Sequence, residues 1–172
     1  MLKLEKIYAG YRFRTVVGNI NAEIASGEKV IISGERKSGK TTLLETAAGI
    51  IPPVSGCVFF DYLPITEYSR KELGKRLCHI PQDILPRDKV FRLISAVKSG
   101  CEYILIDEPF AFLSEKQQNE LLNIMNSEPS CSFLITENST SPIKRDGFKN
   151  LHLSTDYGLK KTAPSAENAV YM

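Results

Sequence analysis

The sequence predicts an α/β fold in which a mainly parallel central sheet is flanked by helices and accompanied by an N-terminal antiparallel β element. Strand and helix patterns alternate along most of the chain, as they do in folds built around a parallel sheet. Several of the strand patterns are short, apolar, β-branched runs, which are typical of strands buried on both faces. Two longer strand patterns precede the first helix, and we expect these two to form the antiparallel element.

The first predicted strands are Leu2–Tyr8 and Val16–Ile24, the second with apolar residues near every other position. The run Lys29–Ser33 (KVIIS) follows as a short buried strand. A glycine-rich loop comes next and opens a helix, because apolar residues recur at helical spacing over 43–48. Gly49 stands where a helix can be capped at its C-terminus.

The middle of the chain continues the alternation. Cys57–Phe60 predicts a strand, Ser69–Lys75 one or two helical turns, and Arg76–Ile80 a further strand. Asp88–Ser99 predicts a helix, because its apolar residues fall on one face. Glu102–Asp107 predicts a buried strand that ends in acidic residues.

The last elements follow a helix-start signal. Ser114–Gln117 has the capping-box pattern ahead of an apolar helical segment that reaches Met125. Ser132–Thr136 and Asn150–Leu153 predict the final strands. We therefore expect one domain over residues 1–155, followed by a flexible C-terminal tail over 156–172.

The composition excludes several classes of protein. The formal net charge of the 172 residues is +2, which is too small to indicate a nucleic-acid-binding protein. No apolar run is long enough to predict a membrane span, and the N-terminus lacks a secretory signal, so we expect a cytoplasmic chain. The four cysteines form no CxxC pair, which favours reduced, mostly buried thiols.

The strongest motif is GERKSGKT, which fits the phosphate-loop pattern GxxxxGK[ST] and lies between a buried strand and a helix. Glycines let backbone N–H groups point at phosphate, and the helix adds its positive N-terminal end. The lysine of such a loop reaches the β- and γ-phosphates, and the last hydroxyl binds Mg²⁺. We therefore predict Mg-ATP binding by Gly34, Glu35, Arg36, Lys37, Ser38, Gly39, Lys40, Thr41 and Thr42.

A second motif, YILIDEP, is an apolar strand that ends in Asp107 and Glu108. Successive side chains of a strand point to opposite faces, so the two acids can serve different purposes. Asp107 is expected to hold the metal together with Thr41, and Glu108 to orient or deprotonate an attacking water. Two solvated acids at a surface strand end are the alternative, which the phosphate loop makes less favourable.

Beyond these two motifs, the chain resembles the nucleotide-binding domain of the ATP-binding cassette (ABC) family. Four segments carry the resemblance: VVGNINAEIASGEKVIISG before the loop, AAGIIPPVSGCVFFD after its helix, LCHIPQD as strand and glutamine loop, and YILIDEP. Together they cover most of residues 1–136. The resemblance implies that Gln82 approaches the γ-phosphate and the metal, and that Tyr11 stacks on adenine, with Tyr8 as its rival.

Four departures from the family pattern are visible. Only 24 residues (83 through 106) separate Gln82 from Asp107, so the family's helical subdomain is nearly absent. The LSGGQ signature is missing, and residues 83–87 (DILPR) occupy its place without a Gly-Gly pair. Ser114 replaces the family's D-loop aspartate, and Glu137 replaces its switch histidine. A glutamate there would have to turn away, bind metal or carry a raised pKa.

The phosphate loop also departs from the family at Lys37, where a glycine is usual. A left-handed backbone at this position is costly for lysine. Since other phosphate loops accept varied residues at these positions, the change predicts an altered loop and retained binding.

The resemblance implies an ATP-binding subunit of a transport or export system, an ATPase with weak hydrolysis alone. Its catalytic residues are Glu108, Lys40 and Gln82, and its metal is held by Thr41, Asp107 and Gln82. Because the chain lacks a signature, a second nucleotide-binding subunit would complete its site in trans, and a membrane permease would place it at the membrane periphery. A non-hydrolysing regulatory or scaffold protein and a small P-loop kinase remain as alternatives.

Overall fold

Two sheets organise the protein. The computed structural model describes residues 1–11, 14–139 and 145–153, so the predicted tail over 156–172 lies outside the described residues. A four-stranded antiparallel sheet has the order β2-β1-β4-β5, and a five-stranded sheet has the order β6-β7-β8-β3-β9. The described strands are β1 (Leu2–Tyr11), β2 (Arg14–Ile24), β3 (Lys29–Gly34), β4 (Ser55–Phe60), β5 (Leu63–Pro64), β6 (Leu77–Ile80), β7 (Tyr103–Ile106), β8 (Ser132–Asn138) and β9 (Lys149–Leu153).

The five-stranded sheet is parallel throughout its described pairs, which confirms the predicted α/β fold. Strand β8 lies between β7 and β3, so the strand that ends in the acidic pair is two positions from the strand that opens the glycine-rich loop. The carboxyl ends of β3, β7 and β8 meet at one edge of the sheet. Ligands of open α/β sheets bind at this edge.

The N-terminal element is antiparallel, as predicted, and larger than predicted. Strand β1 pairs with β2 and also with β4, which the sequence pattern did not assign to this sheet. Irregular register in β1 and β2 coincides with positive φ angles at Lys6 and Asn19, a conformation that accompanies local bulges. The short β5 then pairs with β4 at the sheet edge.

Four α-helices connect the strands: α1 (Lys40–Ala47), α2 (Arg70–Arg76), α3 (Pro86–Lys98) and α4 (Glu115–Ser127). Both capping boxes form, at Ser69 with Glu72 and at Ser114 with Gln117. One prediction needs correction here. The capping box sets the start of α2 after Ser69, and the helix runs through Arg76, which the sequence pattern assigned to the next strand. Helix α1 ends before Gly49, whose φ of 70° is the left-handed C-terminal conformation predicted there.

Two apolar cores lie on opposite faces of the parallel sheet. One packs α1 and the antiparallel sheet against residues such as Ile32 and Leu105. The other packs α3 and α4 against residues such as Ile31 and Ile104. Strands with both faces buried explain the continuous apolar runs of the sequence.

The segment between β6 and β7 contains a single 13-residue helix, α3, which confirms that the helical subdomain is nearly absent. Helix α3 begins at Pro86 and ends at Lys98, so it starts two residues before our prediction. Strand β7 ends at Ile106, which places Asp107 in the following turn.

The four cysteines are free, as predicted, although only Cys101 and Cys131 are buried. Burial raises the pKa of Cys131 to about 12. Among the described residues, no helix is both long and apolar enough to cross a membrane.

Candidate functional site

The glycine-rich loop joins β3 to α1 at the carboxyl edge of the parallel sheet. A Cβ at Gly34 would lie 2.6 Å from the Leu153 carbonyl oxygen, and Gly39 has a φ of 93°. Both positions therefore require glycine. The residues predicted to bind phosphate all lie in this loop and the first turn of α1. Of these, Glu35, Arg36, Lys37 and Thr41 are exposed, and Gly34, Ser38, Gly39, Lys40 and Thr42 are buried.

Lys37 has a φ of 67°, so the lysine adopts the left-handed conformation that glycine would hold without strain. This conformation costs roughly 1–2 kcal/mol for a residue with a Cβ. Since the side chain of Lys37 is exposed, the lysine does not fill the space inside the loop.

Lys40 is buried and lies across the loop. Its Nζ donates hydrogen bonds to the carbonyl oxygens of Gly34 at 2.9 Å and Glu35 at 2.6 Å. Burial lowers the pKa of Lys40, while the nearby charges of Glu108 and Asp107 act in the opposite direction. The charges of Asp107 and Glu108 are therefore close enough to Lys40 to influence its protonation.

Asp107 joins the loop to the centre of the sheet. Its Oδ2 accepts a hydrogen bond from Thr41 Oγ1 at 2.7 Å, and its Oδ1 accepts one from Thr136 Oγ1 on β8. The carboxylate is 2% exposed. Motifs 66 residues apart are thus brought into direct contact.

Glu108 is held through its side chain and its backbone. Its Oε2 accepts a hydrogen bond from Gln82 Nε2 at 2.9 Å, and its Oε1 accepts one from Asn138 Nδ2. Its backbone N–H donates to Thr136 Oγ1 at 2.8 Å. Its φ of 45° lies in the left-handed region, which a glutamate rarely occupies.

Three residues at the site escaped the sequence analysis: Thr136, Asn138 and Lys89. Thr136 and Asn138 follow from strand order, because β8 ends beside β7 and polar residues at its end meet the acidic pair. Lys89 is 2% exposed, and its Nζ donates a hydrogen bond to the Glu108 carbonyl at 2.8 Å. The sequence could have indicated Lys89, because a charged residue stands within the apolar helical pattern of α3.

The two candidate adenine-stacking tyrosines have different surroundings. Tyr11 is 51% exposed, and its hydroxyl donates a hydrogen bond to Glu45 Oε2 on α1 at 2.9 Å. The ring of Tyr8 lies against Gly18 of β2, where an added Cβ would be 2.8 Å from it. Tyr11 is therefore the tyrosine that contacts the loop helix.

Glu137 turns away from the phosphate loop, the first of the three outcomes considered for it. Thr136 faces Asp107, and alternation along β8 places Glu137 on the opposite face. There its Oε1 accepts hydrogen bonds from Arg145 Nε at 3.1 Å and Nη2 at 2.6 Å. The guanidinium of Arg145 lies 4.2 Å above the centre of the Phe110 ring. The position of the family's switch histidine thus holds a neutralised ion pair.

The segment in place of the signature enters the first turn of α3. Residues 83–85 connect to the helix, and Pro86 and Arg87 belong to it. This segment contains no glycine, so it lacks the conformational freedom of a Gly-Gly pair.

The donor groups of this site fit Mg-ATP. A threonine hydroxyl and a carboxylate in direct contact are hard oxygen ligands, and Mg²⁺ is usually bound by one or two such groups together with substrate phosphates. No cluster of three or more histidine, cysteine or acidic residues suited to a metal occurs in the described part of the chain.

The chain is similar to known proteins in sequence and in fold. The statistical description of the ABC transporter family matches residues 17–130, more than half of the chain. The hemin import ATP-binding protein HmuV of Hahella chejuensis is 34% identical over 109 residues, which are 63% of this chain and 42% of that protein. The chain thus spans less than half of the length of this curated relative.

Two solved structures have the same fold at 16% identity. A dimeric bacterial ABC transporter cassette superposes with a TM-score of 0.73 over 94% of this chain and 97% of that chain. A bacterial Atm1-family ABC exporter with ATP bound superposes with a TM-score of 0.76 over 93% of this chain and 38% of that chain.

Proposed function

This chain belongs to the ABC transporter family, and on that premise we propose that it is an ATP-binding subunit of a transport or export system. It would bind Mg-ATP and hydrolyse it weakly alone. The observation that carries the proposal is the contact between Thr41 of the phosphate loop and Asp107 at 2.7 Å, with Glu108 beside it. This contact supports the proposal because it joins the phosphate loop to the acidic pair, so that the proposed phosphate-binding, metal-binding and water-orienting groups would act in one site.

The loop residues would bind the phosphates. Backbone N–H groups of the loop and the N-terminus of α1 favour anions. Lys40 adds a positive charge, and its hydrogen bonds to described residues all go to oxygens of the loop itself. Thr41, Asp107 and Gln82 are the proposed Mg²⁺ ligands. When bound, Mg²⁺ would offset the negative charge of the phosphate oxygens. We propose that Tyr11 contacts the adenine, a role that its exposed ring beside α1 supports.

Glu108 is the proposed general base. Its two carboxylate oxygens accept hydrogen bonds from Gln82 and Asn138, which orient the group without neutralising it. A carboxylate held in this way can position a water and accept its proton. Gln82 would connect this group to the γ-phosphate side of the site.

Weak hydrolysis in isolation follows from the segment 83–87. Because it has no Gly-Gly pair, it cannot present the same backbone amides to the phosphates of a neighbour's ATP. A symmetric pair of these chains would leave both sites incomplete. We propose that a different nucleotide-binding subunit supplies a signature in trans. A membrane permease would place the chain at the membrane periphery.

Titration calorimetry with Mg-ATP tests the core of the proposal. Wild type should bind, and Lys40→Ala should lose at least about ten-fold in affinity, because a buried charged contact to phosphate is removed. Lys75→Ala is the matched control, since it removes an exposed lysine from α2. A wild-type chain that does not bind Mg-ATP would refute the proposal. Co-purification from the native host tests for the partner, and a monomer with robust turnover would contradict it.

A second candidate is a regulatory or scaffold protein that binds ATP without hydrolysing it. The observation in its favour is the ion pair of Glu137 with Arg145, which occupies the family's switch position on the face away from the loop. A long incubation of wild type and Glu108→Gln with Mg-ATP separates the two candidates. Equal, background-level release of phosphate would favour the scaffold.

A further inference from the structure

Lys89 lies on the buried side of α3. Lys89, Leu93 and Ala96 are spaced by four and three residues, and all are buried. A lysine in such a stripe is costly unless its ammonium group has partners, since burial disfavours its charge. Within the described part of the chain, the Nζ of Lys89 donates a hydrogen bond to the carbonyl oxygen of Glu108 at 2.8 Å.

This carbonyl belongs to Glu108, a residue whose backbone is strained. Glu108 has a φ of 45°, and its N–H is already held by Thr136 at 2.8 Å. The N–H of Ala111 also reaches the Glu108 carbonyl, at 3.2 Å, and closes the turn. Lys89 adds the charge-assisted contact, which is shorter and generally stronger than a neutral one.

The bridge between β6 and β7 therefore contacts Glu108 at two points. Gln82, near its beginning, donates to the Glu108 side chain, and Lys89, in the first turns of α3, donates to the Glu108 backbone. The negative charges of Asp107, Glu108 and Asp83 oppose the effect of burial, which lowers the pKa of Lys89. Lys89 thus faces the acidic pair from the α3 side, while Lys40 faces it from the α1 side.

We propose that Lys89 is a positioning residue, which fixes the turn after β7 and thereby the direction of the Glu108 carboxylate. The inference rests on the proposed hydrolytic function for its kinetic consequence. The short bridge would in this way do more than connect two strands, because it would hold the general base in place from within the chain.

The first test is kinetic. Lys89→Met keeps an unbranched apolar chain without the donor, and Lys98→Met removes an exposed lysine from the end of the same helix. Lys89→Met should lower kcat at least about ten-fold while the Kd for Mg-ATP changes by less than about three-fold, because only the positioning of Glu108 is lost. Lys98→Met should match wild type. Equal kcat values for the two variants would overturn the inference.

The second test needs no nucleotide. Amide hydrogen exchange over residues 107–113 should become at least about ten-fold faster in Lys89→Met and stay unchanged in Lys98→Met. Exchange of β8 and α4 should not change. A uniform rise across the protein would show that Lys89 only stabilises the fold, and an unchanged turn would show that it does not hold Glu108. Either result would overturn the inference.

The two tests also separate this inference from the proposed function. A wild-type chain that binds no Mg-ATP refutes the function, and hydrogen exchange then decides on Lys89 alone. If Lys89→Met fails to fold, Lys89→Leu, which also lacks a donor, is measured in its place by the same criteria.

Discussion

Removal of the Arg145 guanidinium should destabilise the protein through Glu137. The Glu137 side chain is 9% exposed, and Arg145 provides two hydrogen bonds to its Oε1. Among the described residues, Glu137 Oε2 has no hydrogen-bond partner, so the carboxylate depends on this one cation. Breaking a buried pair on one side costs about 3–5 kcal/mol.

The expected loss for Arg145→Met is somewhat smaller, about 2–4 kcal/mol, because the Arg145 side chain is 26% exposed and water can partly replace it. The methionine retains packing against the Phe110 ring, so the change reports mainly on charge. For a chain of this length the loss corresponds to a drop in Tm of roughly 4–16 °C.

Thermal and urea unfolding measure the effect in a double-mutant cycle. Glu137→Gln combined with Arg145→Met should recover at least about 1 kcal/mol relative to Arg145→Met alone, because no unpaired charge stays buried. Arg92→Met, on the exposed face of α3, is the control and should change stability by less than about 0.5 kcal/mol. Strictly additive single effects would refute the reasoning that the pair is energetically coupled.

Three further predictions follow from the site and the core. Thr136→Val should cost about 2 kcal/mol in unfolding free energy and reduce Mg-ATP hydrolysis, because it leaves Asp107 Oδ1 and the Glu108 N–H without their shared hydroxyl. Urea unfolding measures the stability and phosphate release measures the hydrolysis; an unchanged rate of phosphate release would contradict the prediction. Lys37→Gly should relieve the left-handed strain, partly offset by the entropy of glycine, for a gain of at most about 1 kcal/mol with unchanged ATP affinity; a calorimetric loss of affinity would contradict it. Because burial raises the pKa of Cys131 to about 12, its thiol should resist a thiol reagent at pH 8 until the protein unfolds, and rapid labelling of the folded protein would contradict this. The contribution of the Cys131 thiol to stability should be fully present below about pH 9 and lost as the pH rises toward 12.

The sequence predicted those parts of the site whose residues lie close together along the chain. The loop from Gly34 to Thr41 and the acids after β7 are local patterns, and the structure places them together. The predicted strands all exist, with ends that differ by up to three residues: pairing extends β1 and β8 beyond their apolar centres, whereas β6 and β7 are shorter than predicted. The left-handed backbone at Lys37 was also predictable, because the family places glycine there.

The rest depended on which elements lie side by side. Thr136 meets Asp107 only because β8 lies between β3 and β7, and no local pattern states that order. Lys89 reaches Glu108 across 19 residues, through the way in which α3 packs on the sheet. Electrostatics alone allowed three states for Glu137, and the position of Arg145 decides among them.

The single helix between β6 and β7 also defines a junction for engineering. A designer who grafts a larger helical module between Gln82 and Tyr103 would delete Lys89 together with the native bridge. Such a chimera would gain a recognition surface and lose an internal contact to the Glu108 carbonyl. The transplanted module would therefore need its own buried donor that reaches the Glu108 carbonyl. At this junction, replacing that hydrogen bond would constrain the design more than the length of the insert.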